Sequence, residues 1–379
     1  MIDRMLGQKI TGRLGTGRAI VLLGARRTGK TTLLKELVRA RTVPGDTLWL
    51  NADEADVQAL FEHISAARLR HIFGTRRTIV IDEAQRIRDI GLKLKLITDD
   101  MPEVQLIATG SSSFSLANQI NESLTGRKWE FFLYPLSFAE MVNHLGLLEE
   151  KRILPHRLIY GYYPEVVSNP GEEREILREL SSSYLYRDVL MWEGIKKPDK
   201  LVKLLQALAL QIGSQVSYTE LGQLCGLDVK TVEKYILLLE QCFVIFRLGS
   251  FSRNMRNELK FSKKIYFYDN GIRNSVIADF SLPETRRDIG ALWENFLVSE
   301  RKKKLEYEGL WKNCWFWRTT SQQEIDYIEE GDACVEAWEF KWNPRSICRA
   351  PKSFAAHYPQ SAFSVVSPEN IEDFLLTKA

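Results

Sequence analysis

Short apolar runs alternate with helical patterns over the first third of the chain. Four such runs lie between residues 18 and 140, at Ala19–Leu23, Thr47–Leu50, Thr78–Ile81 and Leu106–Thr109. A run that is apolar at nearly every position is typical of a strand covered by helices on both faces. Strands that alternate with helices predict an α/β fold with a mostly parallel sheet.

The pattern changes after Pro135. Residues 138 to about 212 are predicted to be helical, and residues 217–248 are typical of helix, turn, helix and strand. A strand at Lys264–Tyr268, a helix at Ile289–Lys304 and several strands up to Trp342 follow. These changes predict four parts of the chain, at residues 1–150, 151–212, 213–255 and 256–379.

Composition narrows the class of protein. A chain of 379 residues with 45% hydrophobic residues is long enough for several globular domains. Its 52 basic and 49 acidic residues leave a net charge of +3, which neither requires nor excludes a nucleic-acid partner. The five cysteines are scattered, so we expect reduced thiols and no zinc site. No apolar segment is long enough for a membrane span, and we expect a cytoplasmic protein without a membrane partner.

A phosphate-binding loop follows the first apolar run. Residues 24–31 read Gly-Ala-Arg-Arg-Thr-Gly-Lys-Thr, between a predicted strand and a predicted helix. Backbone N–H groups of such a loop bind phosphate oxygens, Lys30 reaches the β- and γ-phosphates, and Thr31 holds Mg²⁺. The sequence therefore predicts ATP and Mg²⁺ as ligands, with these nucleotide-binding residues: Gly24, Arg27, Thr28, Gly29, Lys30, Thr31, Thr32, Asp82 and Ser111.

Two acidic residues end the third apolar run. Asp82 is predicted to bind Mg²⁺, and Glu83 to orient or deprotonate the attacking water. Ser111, after the fourth run, either contacts the γ-phosphate or is a loop serine. Arg127 is predicted to act on the transferred phosphoryl group, in its own subunit or in a neighbouring one, with a solvated surface arginine as the alternative.

Several of these segments resemble the prokaryotic AAA+-type ATPases of the STAND-related branch. The matching segments are residues 24–32, 81–85, 109–112, 125–127 and 134–138, with 184–189, 268–273 and 290–296 further along. In that family the C-terminal domain is similar to PD-(D/E)XK nucleases. The resemblance, which covers most of residues 15–345, implies an AAA+ ATPase core, a helical lid or linker, a winged-helix-like domain and a nuclease-like domain, in the order of the four parts.

A second candidate site, made of acidic residues and one lysine, is predicted near the C-terminus. Glu339 and Lys341 alternate with apolar residues on a predicted strand, so they share one face. Asp326 and Glu339 are predicted to hold one or two Mg²⁺ ions, with Mn²⁺ as a substitute. Lys341 would position or deprotonate a water molecule, and Glu294 would be an outer ligand or would orient Lys341. An ordinary solvent-facing Glu339–Lys341 pair is the alternative.

Two further segments have two interpretations each. The helix after Asp228 has only Lys230 and Lys234 as basic residues, so it is either a DNA-reading helix or a spacer or oligomer contact. The basic run Arg301–Lys304 is either a phosphate contact or, as we expect, a solvated helix end.

Together these observations predict an ATP-driven switch coupled to a metal-dependent nuclease-like domain that acts on DNA or RNA, with DNA preferred and a homo-oligomer expected. The alternative is a regulatory or scaffold ATPase with an inactive nuclease fold. A small-molecule kinase ranks last, because the Asp82–Glu83 pair favours hydrolysis.

Overall fold

A computed structural model describes residues 2–41, 45–111, 123–185, 197–251, 263–319, 321–331 and 334–377. The chain divides into two compact units. The first unit contains residues 1–135 and 241–243, and the second contains residues 136–240 and 244–379. Part of the segment 184–189, which contributed to the family resemblance, lies outside the described residues.

Strands and helices alternate in the first unit, as predicted. Its elements are α1 (Leu6–Thr11), β1 (Ala19–Leu23), α2 (Lys30–Arg41), β2 (Thr47–Asn51), α3 (Ala55–Leu60), α4 (Ala66–Phe73), β3 (Thr78–Asp82), α5 (Ile90–Asp100), β4 (Gln105–Gly110) and β5 (Lys128–Phe132). All four predicted strands are confirmed.

The five strands of the first unit form one parallel sheet, in the order β2-β3-β4-β1-β5. Every residue of β1 and β3 is buried, which explains why both runs are apolar throughout. Ligands of such sheets bind beyond the carboxyl ends of the strands. β4 lies between β1 and β3. The carboxyl end of β4 therefore lies between the end of β1, where the phosphate-binding loop begins, and the end of β3 at Asp82.

Helices dominate the start of the second unit, as predicted. Its elements are α6 (Phe138–Leu145), α7 (Leu147–Tyr160), α8 (Pro164–Ser168), α9 (Glu173–Glu179), α10 (Pro198–Leu210), β6 (Gln215–Val216), α11 (Tyr218–Cys225), α12 (Val229–Gln241), β7 (Ile245–Ser250), β8 (Lys263–Phe267), α13 (Asn270–Val276), α14 (Ile289–Glu308), β9 (Asn313–Arg318), β10 (Glu324–Gly331), β11 (Cys334–Phe340), α15 (Lys352–His357), β12 (Ala362–Val366) and α16 (Ile371–Leu375).

One sheet of seven strands runs through the second unit, in the order β12-β11-β10-β9-β7-β8-β6. The helix-turn-helix pair α11–α12 precedes β7, and β8 pairs with both β6 and β7. β7 also pairs with β9 in parallel, through Gly249 and Ser250. This pairing joins the strands that follow the helix-turn-helix segment to the C-terminal strands, so residues far apart in the sequence meet along α14.

Both faces of the C-terminal strands are covered. One face packs in a cluster with Phe354 of α15, formed by Phe251, Trp317, Ile325, Ile328, Val335 and Ala337. On the other face, the rings of Trp338 and Phe340 contact Phe374 of α16. No helix of the described residues has the length and apolar character that a membrane span requires.

Candidate functional site

The loop between β1 and α2 has the backbone conformation of a phosphate cradle. Gly24 and Gly29 both have positive φ, at 158° and 92°. A Cβ on Gly24 would lie 2.1 Å from the carbonyl oxygen of Leu133, so only glycine fits there. The N-terminus of α2 begins at Lys30 and directs its N–H groups and positive dipole end toward the loop.

Lys30 is buried, with 5% of its surface exposed. Its Nζ donates hydrogen bonds to the carbonyl oxygens of Gly24 at 2.8 Å and Ala25 at 2.9 Å. Both acceptors are neutral backbone groups of the loop itself. The lysine charge is therefore not neutralised by these two contacts, and an anionic phosphate is a stronger partner than either carbonyl.

Asp82 lies at the end of β3, between two hydroxyl groups. Thr31 Oγ1 donates to Asp82 Oδ2 at 2.9 Å, and Thr109 Oγ1 donates to Asp82 Oδ1 at 2.5 Å. A hydroxyl and a carboxylate are the oxygen ligands that Mg²⁺ uses beside nucleotide phosphates. Thr31 and Asp82 therefore fit the metal that the sequence predicts.

Glu83 follows in the left-handed backbone region, with φ of 52°. Such a conformation is uncommon for a residue with a Cβ and is concentrated at functional sites. The Glu83 N–H donates to Thr109 Oγ1 at 3.0 Å, and its carboxylate accepts a hydrogen bond from Gln85 Nε2 at 2.5 Å. Gln85 also donates to Ser111 Oγ at 3.1 Å. Glu83 and the buried Ser111 are thus joined through one amide.

The other predicted loop residues surround the cradle. Thr28 is buried, and its Oγ1 donates to the carbonyl oxygen of Ala25 at 2.8 Å. Arg27 is exposed in the left-handed region, and Thr32 is exposed in the first turn of α2. Arg4, which sequence reasoning missed, donates to the carbonyl oxygens of Thr28 and Tyr134, each at 2.7 Å.

Arg127 lies away from this group of residues. It directly precedes β5, which runs parallel to β1 with Lys128 opposite Ala19. The loop at Gly24 follows the other end of β1, so a full strand length separates Arg127 from the loop of its own chain. There Arg127 pairs with Asp99 at 2.5 Å, and both side chains are about two-fifths exposed, at 44% and 38%.

The second predicted site brings its four residues together. Asp326 lies where the pairing of β9 and β10 is irregular, and its Oδ2 accepts a hydrogen bond from the Phe340 N–H at 2.8 Å. Lys341 Nζ donates to Glu339 Oε1 at 2.7 Å. Burial, and then the charges of Glu294 and Glu339, raise the pKa of Asp326 well above its usual value.

Lys264 on β8 is a member of this cluster that sequence reasoning missed. Its ammonium group is 2.8 Å from Glu294 Oε1 and 2.6 Å from Glu324 Oε1. Burial alone would lower the pKa of Lys264, but the charges of Glu294, Asp326 and Glu324 outweigh it and raise the pKa. Tyr266 also donates to Glu294 Oε1, at 2.7 Å. We call the four carboxylates Glu294, Glu324, Asp326 and Glu339 the acidic cluster.

Several carboxylates of this arrangement are already paired with lysines of the chain. Among the residues that the structure describes, no group of three or more His, Cys, Asp and Glu side chains could hold a metal ion. Burial would lower the pKa of Lys341, but Glu339 and Asp326 outweigh burial and raise it. Lys341 therefore stays protonated near neutral pH, which favours charge stabilisation over proton abstraction.

Family comparisons divide the chain into three parts. Residues 16–142 match the family model described as an AAA domain. This part of the chain is an AAA+ ATPase-like domain. Residues 151–283 and 289–374 match two models described as domains of unknown function, DUF8612 and DUF4143. The AAA+ domain matches most of the first unit and carries the phosphate-binding loop, Asp82 and Glu83.

Two curated relatives have similar sequences. An uncharacterized protein of Haemophilus influenzae is 26% identical over 285 residues, which are 68% of this chain and 68% of that protein. An uncharacterized protein of Methanocaldococcus jannaschii is 24% identical over 351 residues, which are 87% of this chain and 76% of that protein. Neither description names an activity.

Two solved structures overlap weakly with the chain. Cdc6p from Pyrobaculum aerophilum is 13% identical with a TM-score of 0.29, over 66% of this chain and 86% of that one. Drosophila ORC bound to DNA is 14% identical with a TM-score of 0.24, over 67% of this chain and 89% of that one. At these scores the likeness carries no argument about function.

The basic run 301–304 is not a solvated helix end. Arg301 is buried against Glu329 and the carbonyl oxygen of Phe374, and Lys303 is buried against Glu300 and the carbonyl oxygen of Leu136. That expectation was wrong because α14 is enclosed on several sides, so its charges form internal pairs.

Lys230 and Lys234 on α12 are exposed, beside the exposed apolar side chain of Leu237.

Proposed function

We propose that this protein is an ATP-binding and ATP-hydrolysing switch. The observation that carries the proposal is the meeting of Lys30, Thr31 and Asp82 at the carboxyl ends of β1 and β3. These three residues belong to two different motifs, 51 residues apart between Thr31 and Asp82. Thr31 is hydrogen-bonded to Asp82 and directly follows Lys30, which supports the roles that P-loop proteins give to such residues in nucleotide hydrolysis.

Each side chain has a defined task in this proposal. Lys30 exchanges its two carbonyl acceptors for oxygens of the β- and γ-phosphates. Thr31 and Asp82 would hold Mg²⁺, which when bound neutralises charge on the transferred phosphoryl group. Glu83 accepts a proton from the attacking water at its carboxylate, and Gln85 fixes that carboxylate through its Nε2.

Nucleotide binding tests this proposal directly. Full-length wild type and Lys30→Ala would be titrated with a fluorescent ATP analogue in Mg²⁺. Lys35→Ala, which changes an exposed lysine of the same helix, is the matched control. We expect wild type and the control to bind, and Lys30→Ala to lose binding. Equal affinities for all three proteins would contradict the proposal.

For the second unit we propose a nuclease-like domain that ATP binding controls. Its first candidate role is Mg²⁺- or Mn²⁺-dependent cleavage of DNA or RNA. The proximity of Asp326, Glu339 and Lys341 supports this role, because nucleases of the resembled type need a strand that displays Glu-x-Lys and a further acid on another strand. Asp326 and Glu339 are then the residues that take part in metal binding, and Lys341 stabilises charge on the phosphodiester.

The second candidate role is regulatory, with a nuclease-like fold that does not cleave. One observation favours it: Lys264 already pairs with Glu294, the predicted outer ligand. Cleavage of labelled DNA and RNA by wild type, Asp326→Ala and Lys341→Ala, with ATP and either metal, separates the two roles. Cleavage that both variants lose supports the first role. Absence of cleavage by wild type, or equal cleavage by all three, supports the second.

We further propose that Arg127 acts on the nucleotide of a neighbouring copy. Arg127 lies just before the start of β5, and a strand length separates it from the loop of its own chain. This position supports an action in trans. Arg127→Ala alone should lose hydrolysis. Mixed with Lys30→Ala, which still supplies Arg127, it should recover part of the activity. No recovery in the mixture would contradict an action in trans.

A further inference from the structure

One oxygen of Glu294, in the acidic cluster, already accepts two hydrogen bonds from the protein. Glu294 Oε1 accepts hydrogen bonds from Lys264 Nζ at 2.8 Å and from the Tyr266 hydroxyl at 2.7 Å. Its other oxygen, Oε2, lies near Gly213, since a Cβ built on Gly213 would be 3.3 Å from it. The side chain of Glu294 is 15% exposed. A metal ion that used Oε1 would have to compete with both of these donors.

Lys264 is built into the fold as a buried cation. It is 2% exposed, and its ammonium lies 5.4 Å from the centre of the Phe316 ring. A buried ammonium is stable only where carboxylates or other acceptors surround it, because moving it from water into the protein is unfavourable. Glu294 and Glu324 provide that compensation at 2.8 and 2.6 Å. Releasing Lys264 to admit a metal would leave its charge buried without a partner.

The charges of the acidic cluster are nearly balanced within the chain. Its four carboxylates are accompanied by Lys264, by Lys341 at 2.7 Å from Glu339, and by Arg318 at 3.6 Å from Glu324. Four carboxyl groups therefore meet three cationic side chains. Hard divalent cations bind where several carboxylate oxygens are left uncompensated. Here the protein's own side chains supply most of the positive charge that a metal would bring.

We infer that Lys264 takes the place of a divalent cation, so that the acidic cluster is neutralised from within the chain and binds no metal. This inference rests on the second candidate role proposed above, and it adds the cause of inactivity. The ammonium group donates hydrogen bonds but accepts none, so it cannot hold or acidify a water molecule as a metal ion does. The second unit then acts as a metal-independent module.

Mn²⁺ binding to the nucleotide-free, full-length protein tests the inference. All samples carry Thr31→Ala, so that the AAA+ domain contributes no metal. Electron paramagnetic resonance of unbound Mn²⁺ would be compared for this parent, for Lys264→Met and for Lys264→Met with Asp326→Asn. We expect no Asp326-dependent binding in the parent. Lys264→Met should gain about one Mn²⁺ per chain, because it exposes uncompensated carboxylates, and the added Asp326→Asn should remove that ion.

Lys312→Met is the matched control. Lys312 also bridges two glutamates, Glu329 at 3.0 Å and Glu336 at 2.5 Å, but Arg301 remains paired with Glu329. This variant should bind no more Mn²⁺ than the parent. A folded Lys264→Met protein that gains no Mn²⁺, or an equal gain by Lys312→Met, would overturn the inference.

Should circular dichroism show that Lys264→Met does not fold, the parent and its Asp326→Asn variant still decide the matter. Mn²⁺ binding that Asp326→Asn removes from the parent would overturn the inference, and its absence supports it. Asp326-dependent Mn²⁺ binding without cleavage of nucleic acid would overturn the inference but not the regulatory role. Asp326-dependent cleavage would overturn both the inference and the regulatory role.

Discussion

Two buried lysines, one in each unit, have partners of opposite kinds. Lys30 in the AAA+ domain donates to two neutral carbonyl oxygens of its own loop. Lys264 in the second unit donates to two carboxylates. Both side chains are at most 5% exposed, so burial does not distinguish them. The difference lies in what an incoming phosphate or metal would have to displace.

Exchange of partners is favourable at only one of the two positions. Lys30 gains when a carbonyl is replaced by a charged phosphate oxygen, because charge-assisted hydrogen bonds are about twice as strong as neutral ones. Lys264 already has charged partners, and removing one leaves a buried ion unpaired. On the proposed function, the first lysine therefore binds a phosphate, and the second stabilises the fold.

The largest effect is expected from Glu83→Gln. Loss of the carboxylate removes the proton acceptor but keeps the shape of the side chain, so ATP still binds. We expect hydrolysis to fall about 10²- to 10⁴-fold, the usual range for loss of a general base. Phosphate release and ATP affinity would be measured together, with the exposed Glu36→Gln on α2 as the control. Normal turnover by Glu83→Gln would show that another group accepts the proton.

Lys264→Met tests the structural role of Lys264 through the free energy of unfolding. Breaking a buried ion pair by removing one partner destabilises a protein by about 3–5 kcal/mol. We expect this loss in the unfolding of the second unit, followed by circular dichroism in urea. Lys312→Met should cost much less, because Lys312 is 26% exposed. Equal stability of Lys264→Met and wild type would contradict a structural role for Lys264.

Thr109→Val should produce an intermediate effect on the AAA+ domain. Its hydroxyl donates to Asp82 and accepts the N–H of Glu83, so valine leaves both groups without that partner. An unsatisfied buried polar group costs about 1–3 kcal/mol, and if this cost falls on the transition state it lowers kcat by roughly 5- to 160-fold. Thr98→Val, whose hydroxyl bonds only within α5, is the control. A variant as active as wild type would leave Thr109 without a catalytic contribution.

Asp326→Asn should have the smallest effect, and one that depends on pH. Burial, with the charges of Glu294 and Glu339, raises the pKa of Asp326 in the folded protein. The folded state therefore binds this proton more tightly than the unfolded state, and ionisation destabilises it as the pH rises above the unfolded value of about 3.9. The asparagine side chain of the variant never ionises. Thermal unfolding should show the variant more stable than wild type at about pH 8.

This stability difference should shrink as the pH falls toward the unfolded pKa, because Asp326 is then protonated in both states. Asp373→Asn, at an exposed position of α16, is the control. A difference that is constant with pH, or that grows in acid, would contradict the raised pKa.

The sequence allowed the nucleotide site to be predicted because its main residues lie in two short motifs. It indicated Ser111 after the fourth run and not Thr109. Thr109 contacts Asp82 because β4 lies between β1 and β3, and strand order cannot be read from spacing. Ser111 lies two residues further and meets Gln85 instead.

Lys264 could not be predicted as a member of the acidic cluster. Its partners are on α14 and β10, 30 and 60 residues away. They meet only because β7 pairs with both β8 and β9, which no local pattern indicates. In the sequence, Lys264 is simply a lysine within a short apolar strand.

The most direct test of ATP hydrolysis is the release of inorganic phosphate from Mg²⁺-ATP by wild type, Lys30→Ala and Lys35→Ala. Lys30→Ala should lose at least about 100-fold in rate, the usual effect of removing one electrostatic contact in a phosphoryl- or acyl-transfer site. Lys35→Ala should match wild type. Release by Lys30→Ala at the wild-type rate, or none by wild type under any condition, would contradict an ATP-hydrolysing switch.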